Sequence, residues 1–102
     1  MIELVKQYRQ AIESLCRKYR VSRLEVFGSA VAGDFDEQSS DLDFLVEFLS
    51  LETGRAADDY FGLLFDLQDL FDRPIDLVMP TAIKNPYFLQ SINQSRELLY
   101  AA

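Results

Sequence analysis

The sequence predicts a small α/β domain built on a three-stranded sheet flanked by about four helices. Two long stretches, residues 2–19 and 56–72, carry apolar side chains at helical spacing. Three short stretches, 23–28, 41–48 and 75–79, have the length and patterning of strands. The two kinds of stretch take turns along the chain, as they do where helices pack on a sheet.

The first helix is expected over 2–19. Leu4, Val5, Tyr8, Ile12, Leu15 and Tyr19 form its apolar stripe, with Glu3, Lys6, Arg9, Glu13 and Arg17 between them. A strand follows over 23–28, with Leu24 and Val26 opposite Glu25 and Phe27. Gly28-Ser29 ends it, and Ala30-Val31-Ala32 reads as a short helical turn closed by Gly33. Residues 34–40 are a polar connection.

The clearest strand is 41–48, where Leu42, Phe44, Val46 and Phe48 alternate with Asp41, Asp43, Leu45 and Glu47. A loop over 50–55 contains Gly54. The second long helix, 56–72, turns Tyr60, Leu63, Leu64, Leu67, Leu70 and Phe71 inward until Arg73-Pro74 breaks it. Ile75-Asp76-Leu77-Val78-Met79 is the third strand, ended by Pro80. Asn85-Pro86 places a capping side chain before a first-turn proline, and a last helix is expected from there to about Leu99.

At 102 residues the chain suits a single domain, 1–102. With 49% apolar and 13% aromatic residues it can build a core without metal or disulfide staples. Cys16, the single cysteine, cannot form an internal disulfide, and its place in a helical stretch suits packing rather than reactivity. Such usage fits a reducing cytoplasm. Met1-Ile2-Glu3-Leu4-Val5-Lys6 lacks the basic-then-apolar layout of a signal segment, and no run approaches the roughly 18 apolar residues of a membrane span. Cytoplasmic location away from membranes is the expectation.

Seventeen acidic residues against ten basic ones give a net charge of −7. That balance argues against direct nucleic-acid binding, because a negative surface gains nothing from phosphate counterion release. It suits solubility, bound metal or a basic protein partner. The chain has no histidine, so Ser-His-Asp, Cys-His and His-metal chemistries are excluded.

The chemistry concentrates in Phe27-Gly28-Ser29 and, after an eleven-residue spacer, Asp41-Leu42-Asp43-Phe44-Leu45-Val46. A Gly-Ser turn offers backbone N–H groups and a hydroxyl to phosphate oxygens. Asp41 and Asp43 lie two residues apart on one strand face, roughly 6.6 Å apart at Cα by strand rise. That spacing lets them bracket divalent ions about 3.5–4 Å apart. Asp76 interrupts the apolar third strand, so it is expected on the face opposite Ile75, Leu77 and Met79, where it can meet Asp41 and Asp43. Three carboxylates without a lysine among them repel, and a divalent cation relieves this. Oxygen-only ligands select Mg²⁺ or Mn²⁺ over zinc.

The reaction expected from this set is metal-assisted nucleotidyl transfer. Asp41, Asp43 and Asp76 are the catalytic and metal-binding candidates, and Gly28 and Ser29 the nucleotide-binding ones. Asp76 stands on the side of the attacking hydroxyl, and pyrophosphate is the leaving group. Asp-x-Asp and Gly-Ser are each common by chance. Their conjunction at matching strand positions is what points to a site.

Phe27-Gly28-Ser29…Asp41-Leu42-Asp43-Phe44-Leu45-Val46 resembles the signature of the DNA polymerase beta-like nucleotidyltransferase superfamily. The small size, and Ile75-Asp76-Leu77-Val78-Met79-Pro80 followed by Lys84-Asn85-Pro86-Tyr87, resemble its minimal nucleotidyltransferase (MNT) branch. The resemblance implies a nucleotidyltransferase fold with a mixed three-stranded sheet. It implies an antitoxin paired with a helical HEPN-domain ribonuclease toxin, neutralised by AMP transfer from ATP to a tyrosine. Two alternatives accompany it: a binding-only antitoxin of the same fold, and a transferase for a small molecule. Oligomerisation stays open. Relatives often carry Gly-Ser-x-x-Arg-Gly, whereas this chain has Ala32 at the arginine position. Lys84 and Arg55 are the cations considered as substitutes for its charge.

Overall fold

The amphipathic stretch at the start of the chain folds as two helices, not one. In the computed structural model, which describes residues 2–32, 41–49 and 55–102, α1 spans Glu3–Gln7 and α2 spans Arg9–Lys18. Between them Tyr8 leaves helical geometry (φ −100°, ψ 12°), and its N–H turns to Val5 O at 3.2 Å. The phenol ring packs edge-on against Phe71, 5.2 Å between centroids, so a tertiary contact accompanies the break.

Strand β1 spans Val21–Phe27, two residues ahead of the expected start. Arg20 takes a left-handed conformation (φ 56°), which turns the chain into the sheet and lets Val21 be fully buried. Gly28, expected as the last strand residue, is instead a turn with φ +73°. Helix α3 covers Ser29–Ala32, and strand β2 covers Leu42–Phe48. The expected closing Gly33, the polar 34–40 connection and most of the 50–55 loop, including Gly54, lie outside the described residues.

Helix α4 spans Ala56–Phe71 and buries Leu63, Leu67 and Phe71, with Tyr60, Leu64 and Leu70 packed beside them. Asp72 ends it in the left-handed conformation (φ 51°), ahead of Arg73-Pro74. Gly62 allows α4 to approach Tyr19 so closely that any side chain there would strike the ring. Tyr19 then donates its hydroxyl to Asp66 at 2.5 Å. Strand β3 is Ile75–Val78, followed by a 3₁₀ turn over Pro80–Ala82. Helix α5 spans Pro86–Ser95, with Asn85 accepting from the N–H groups of Tyr87 and Phe88 at 2.9 and 3.4 Å.

Among the described residues the sheet has four strands, not three, and the α-helices number five. The residues expected as the end of the last helix form β4, Glu97–Ala101, paired antiparallel with β1. Arg96 is already extended (ψ 135°), and Leu99 is buried while Leu98 is exposed, a period of two. Leu98-Leu99-Tyr100 alone fits a helix or a strand. The unpaired backbone of β1 decides, because β4 satisfies it.

Strand order is β3-β2-β1-β4. β1 runs antiparallel to both neighbours and β2 runs parallel to β3, so the sheet is mixed. One face packs Leu24, Val26, Leu42, Phe44, Val46, Ile75 and Leu77 against the helical layer of Val5, Ile12, Cys16, Leu63, Leu67 and Phe71. The other face carries a smaller cluster, Phe27, Leu45 and Ile92 of α5, with Val78 and Ile83 alongside. α5 thus covers part of the second face. No helix among the described residues is long and apolar enough to cross a membrane.

Candidate active site

The parallel pairing of β2 with β3 sets Leu42 against Ile75, Asp43 against Asp76 and Phe44 against Leu77. Strand alternation puts Leu42, Phe44, Ile75 and Leu77 into the larger core. Asp43 and Asp76 therefore project together from the opposite face. Asp41 lies just before β2 and is exposed, as is Asp76. Asp43 is only partly exposed.

Burial first, then the charges of Asp76 and Asp41, push Asp43 up to about 6 from an ordinary 3.8. Each of these causes disfavours its ionised form. The three predicted carboxylates therefore share one electrostatic environment. Among the described residues, no three acidic, histidine or cysteine side chains form a ready-made metal cage. An all-oxygen donor set with one or two carboxylates per ion, completed by water and substrate phosphates, is the usual way Mg²⁺ is held. The residues present fit such an ion.

Gly28 stands across the sheet from β3, at the end of β1. A Cβ built on it would sit 2.5 Å from Asp43 Oδ2. The missing side chain thus makes room for a carboxylate of the site, a use the sequence reading did not foresee. The Gly28 N–H donates to Ser95 Oγ at 3.1 Å, and Val31 N–H closes onto Gly28 O at 3.0 Å. One donor of the predicted phosphate turn is therefore already given to α5. Ser29 opens α3, next to Gly28 in the chain.

Sequence reasoning missed the groups that hold this turn in place. Glu25, 4% exposed on β1, accepts from Arg96 at 2.7 and 2.6 Å and from Arg23 at 3.0 Å. The Arg96 hydrogen bonds first, and Arg23 after them, hold its carboxyl below the usual range against the effect of burial. Ser95 and Arg96 thus tie the end of α5 to both Gly28 and Glu25. A buried acid at Glu25 signals that a cation is needed. Its second partner, Arg96, lies 71 residues away, and no local pattern names it.

Tyr60 of α4 was expected only as a core residue. Its hydroxyl donates to Leu77 O at 2.6 Å, beside Asp76. Burial and then the Asp76 charge raise its pKa. The cations considered in place of an arginine at Ala32 are dispersed. Arg55 lines a polar hollow with Lys18, Arg20, Asp58 and Asp59, and Lys84 is exposed just ahead of α5.

Paired carboxylates on adjacent strands beside a Gly-Ser turn match the arrangement expected of a nucleotidyl-transfer enzyme. The chain belongs to the nucleotidyltransferase domain family, whose model matches residues 8–99. Among its relatives is the candidate protein adenylyltransferase MJ0128 of Methanocaldococcus jannaschii, 34% identical over 96% of this chain and 91% of that protein. A second candidate protein adenylyltransferase from that organism, MJ0126, is 30% identical over 96% of this chain and 94% of its own. A solved structure described as a candidate minimal nucleotidyltransferase superposes with a TM-score of 0.73 at 30% identity, covering 94% of this chain and 95% of that one. The MNT antitoxin fold also matches. A structure of a tri-AMPylated Shewanella oneidensis HEPN toxin with its MNT antitoxin gives a TM-score of 0.64 at 17% identity, over 95% of this chain and 72% of that one.

Proposed function

We propose that residues 1–102 act as one catalytic unit, a cytoplasmic protein adenylyltransferase that moves AMP from ATP to a partner protein. The observation that carries the reading is the register pairing of Asp43 with Asp76 beside Gly28-Ser29. The partner we propose is a HEPN-domain toxin, neutralised by the modification. The relatives described as candidate adenylyltransferases and the fold of MNT antitoxins support it.

Asp41, Asp43 and Asp76 would hold Mg²⁺ or Mn²⁺, which supplies charge neutralisation and a lowered pKa for the attacking hydroxyl. Gly28-Ser29 receives the phosphates, with Ser29 donating its hydroxyl. The acceptor oxygen bonds to the α-phosphorus, the α–β bridging bond breaks, and pyrophosphate leaves with the electron pair. Asp76 lies on the acceptor side and helps receive the proton.

A binding-only antitoxin is the second reading, favoured by Ala32 at the position where relatives often carry arginine. Incubation with labelled ATP, Mg²⁺ and the product of the neighbouring gene, followed by mass spectrometry of both proteins, separates the two. The enzyme adds AMP-sized increments to the partner. Asp76→Asn abolishes them while ATP affinity changes little, because the lost interaction belongs to the transition state. Equal toxin suppression by wild type and Asp76→Asn, with no mass change, would establish the binder.

A further inference from the structure

We infer that the outward face of α4 is a docking surface for a basic amphipathic helix of a partner protein. Phe61 and Phe65 stand there 51% and 56% exposed, one helical turn apart. Their rings stack at 6.2 Å between centroids, and Tyr60 meets Phe61 edge-on at 5.2 Å. The same helix buries Leu63, Leu67 and Phe71 in the core. The aromatic ridge is therefore a second apolar stripe, one that the fold leaves open to water. Patches of this kind, with aromatic rings at their centre, mark protein contacts.

By helical position, a hollow lies on each side of the ridge. Towards β3 is an apolar cavity of about 440 Å³, lined by Ala57, Tyr60 and Met79 among others. Towards α2 is a hollow of about 460 Å³, lined by Ala11, Ser14, Leu15 and Leu70 together with Asp66 and Asp69. A ridge between two hollows is the relief into which the side chains of a crossing helix interdigitate. The two hollows differ in character, and so must the two sides of the occupant. An apolar side chain suits the first. A lysine or arginine suits the second, laying its stem on Ala11 and Leu15 and reaching the carboxylates with its head.

Charge decides between occupants. Helix α4, Ala56–Phe71, carries four aspartates and no lysine or arginine. Lys18 reaches Asp66 at 3.3 Å, whereas Asp69 is exposed and forms no ion pair with a described residue. Arg20 and Arg55 lie with Asp58 and Asp59 at the start of the helix, about three turns from Asp69. A second copy docking through the same helix would set aspartates against aspartates, and an anionic membrane would be repelled. A partner helix edged with lysine or arginine is attracted. Asp43 and Asp76 project from the opposite face of the sheet, so the docked helix leaves them open. The inference therefore stands apart from the adenylyltransferase reading.

Two synthetic helical peptides test it. They share one leucine stripe, flanked by lysine in the first and by glutamate in the second. The isotope-labelled full chain is titrated with each by NMR. The lysine peptide should move the amide signals of Phe61, Phe65 and Asp69 to saturation and leave those of Gly28 and Asp76 in place. Phe61→Ala and Phe65→Ala should each weaken its binding by roughly tenfold or more, the scale of a truncated anchor at an interface. Both rings are exposed, so the variants should keep the fold, which melting curves on the same samples verify. Asp69→Lys should weaken binding and reduce its salt dependence. Wild-type affinity in Phe65→Ala would overturn the inference, as would a glutamate peptide that binds as tightly as the lysine one. Sedimentation of the chain alone tests the competing occupant. A concentration-dependent dimer that Phe65→Ala abolishes would make this face a self-interface and overturn the inference as well.

Discussion

Asp43 and Asp76 are register partners on parallel strands, side by side on one face of the sheet. Burial first, and then the Asp76 charge, raise the free energy of the ionised form of Asp43.

Metal-free protein should lose stability as pH rises through the window from about 4 to about 6 that this shift defines. An acid with a raised folded pKa keeps its proton longer in the native state than in the unfolded chain. The native state then binds more protons across that window, and the stability so gained is gone above it. A shift of this size corresponds to about 3 kcal/mol, which partial solvent exposure reduces to about 1–2 kcal/mol. Urea unfolding in EDTA at about pH 4.5 and pH 7.5 measures it. Asp43→Asn should be more stable than wild type at the higher pH and lack this component of the slope. A large loss of stability in Asp43→Asn would mean the carboxylate is structural.

Arg96→Ala should destabilise the fold by about 2–3 kcal/mol, below the full figure for a broken buried pair because Arg23 still reaches Glu25. The Glu25 carboxyl is held low, so its contribution is present above the ordinary carboxylate pKa and disappears as pH falls through the depressed value. Denaturant midpoints for Arg96→Ala, Glu25→Gln and the double variant give the coupling. A change under about 0.5 kcal/mol for Arg96→Ala would refute the clamp.

Gly28→Ala should lose about 1–2 kcal/mol, because φ is +73° and the new Cβ meets Asp43 Oδ2. Transfer should fall further than stability alone explains, since the displaced atom belongs to the site. Melting curves and initial rates on the same samples separate the two effects.

Ser95→Ala removes the acceptor of the Gly28 N–H and should lower stability by about 0.5–1.5 kcal/mol. Weaker ATP binding with little change in turnover is expected if the turn receives phosphates. Ser95→Thr should restore binding. Unchanged ATP affinity in Ser95→Ala would confine this hydrogen bond to folding.

Cys16 is fully buried, and burial first, then Glu13, pushes its thiol up to about 12. It should react with a thiol reagent at neutral pH only as fast as the protein opens. Rapid labelling of native protein would contradict this.

Much of the fold was legible because the local signals agreed. The alternation in Leu42–Phe48, the apolar stripe of α4 and the Asn85-Pro86 cap each specify one local structure. The break at Tyr8 was hidden, because it accompanies packing against Phe71 and leaves the helical stripe intact. β4 was hidden because Leu98-Leu99-Tyr100 satisfies either period and only the open side of β1 chooses. At the candidate site, the apolar neighbours of Asp43 and Asp76 foretold their shared face. Ser95, Arg96 and Tyr60 act through partners distant in sequence, and spacing carries no trace of that.

The Tyr60 phenol also bears on how the protein behaves when crowded. β3 is an outer strand, and outer strands invite another chain to extend the sheet through unspent carbonyls and amides. By occupying Leu77 O, the phenol removes one such attachment point at the rim. Concentrated solutions should be protected from ribbon-like self-assembly on that side, and Tyr60→Phe, which retains the ring and frees the carbonyl, should weaken the protection.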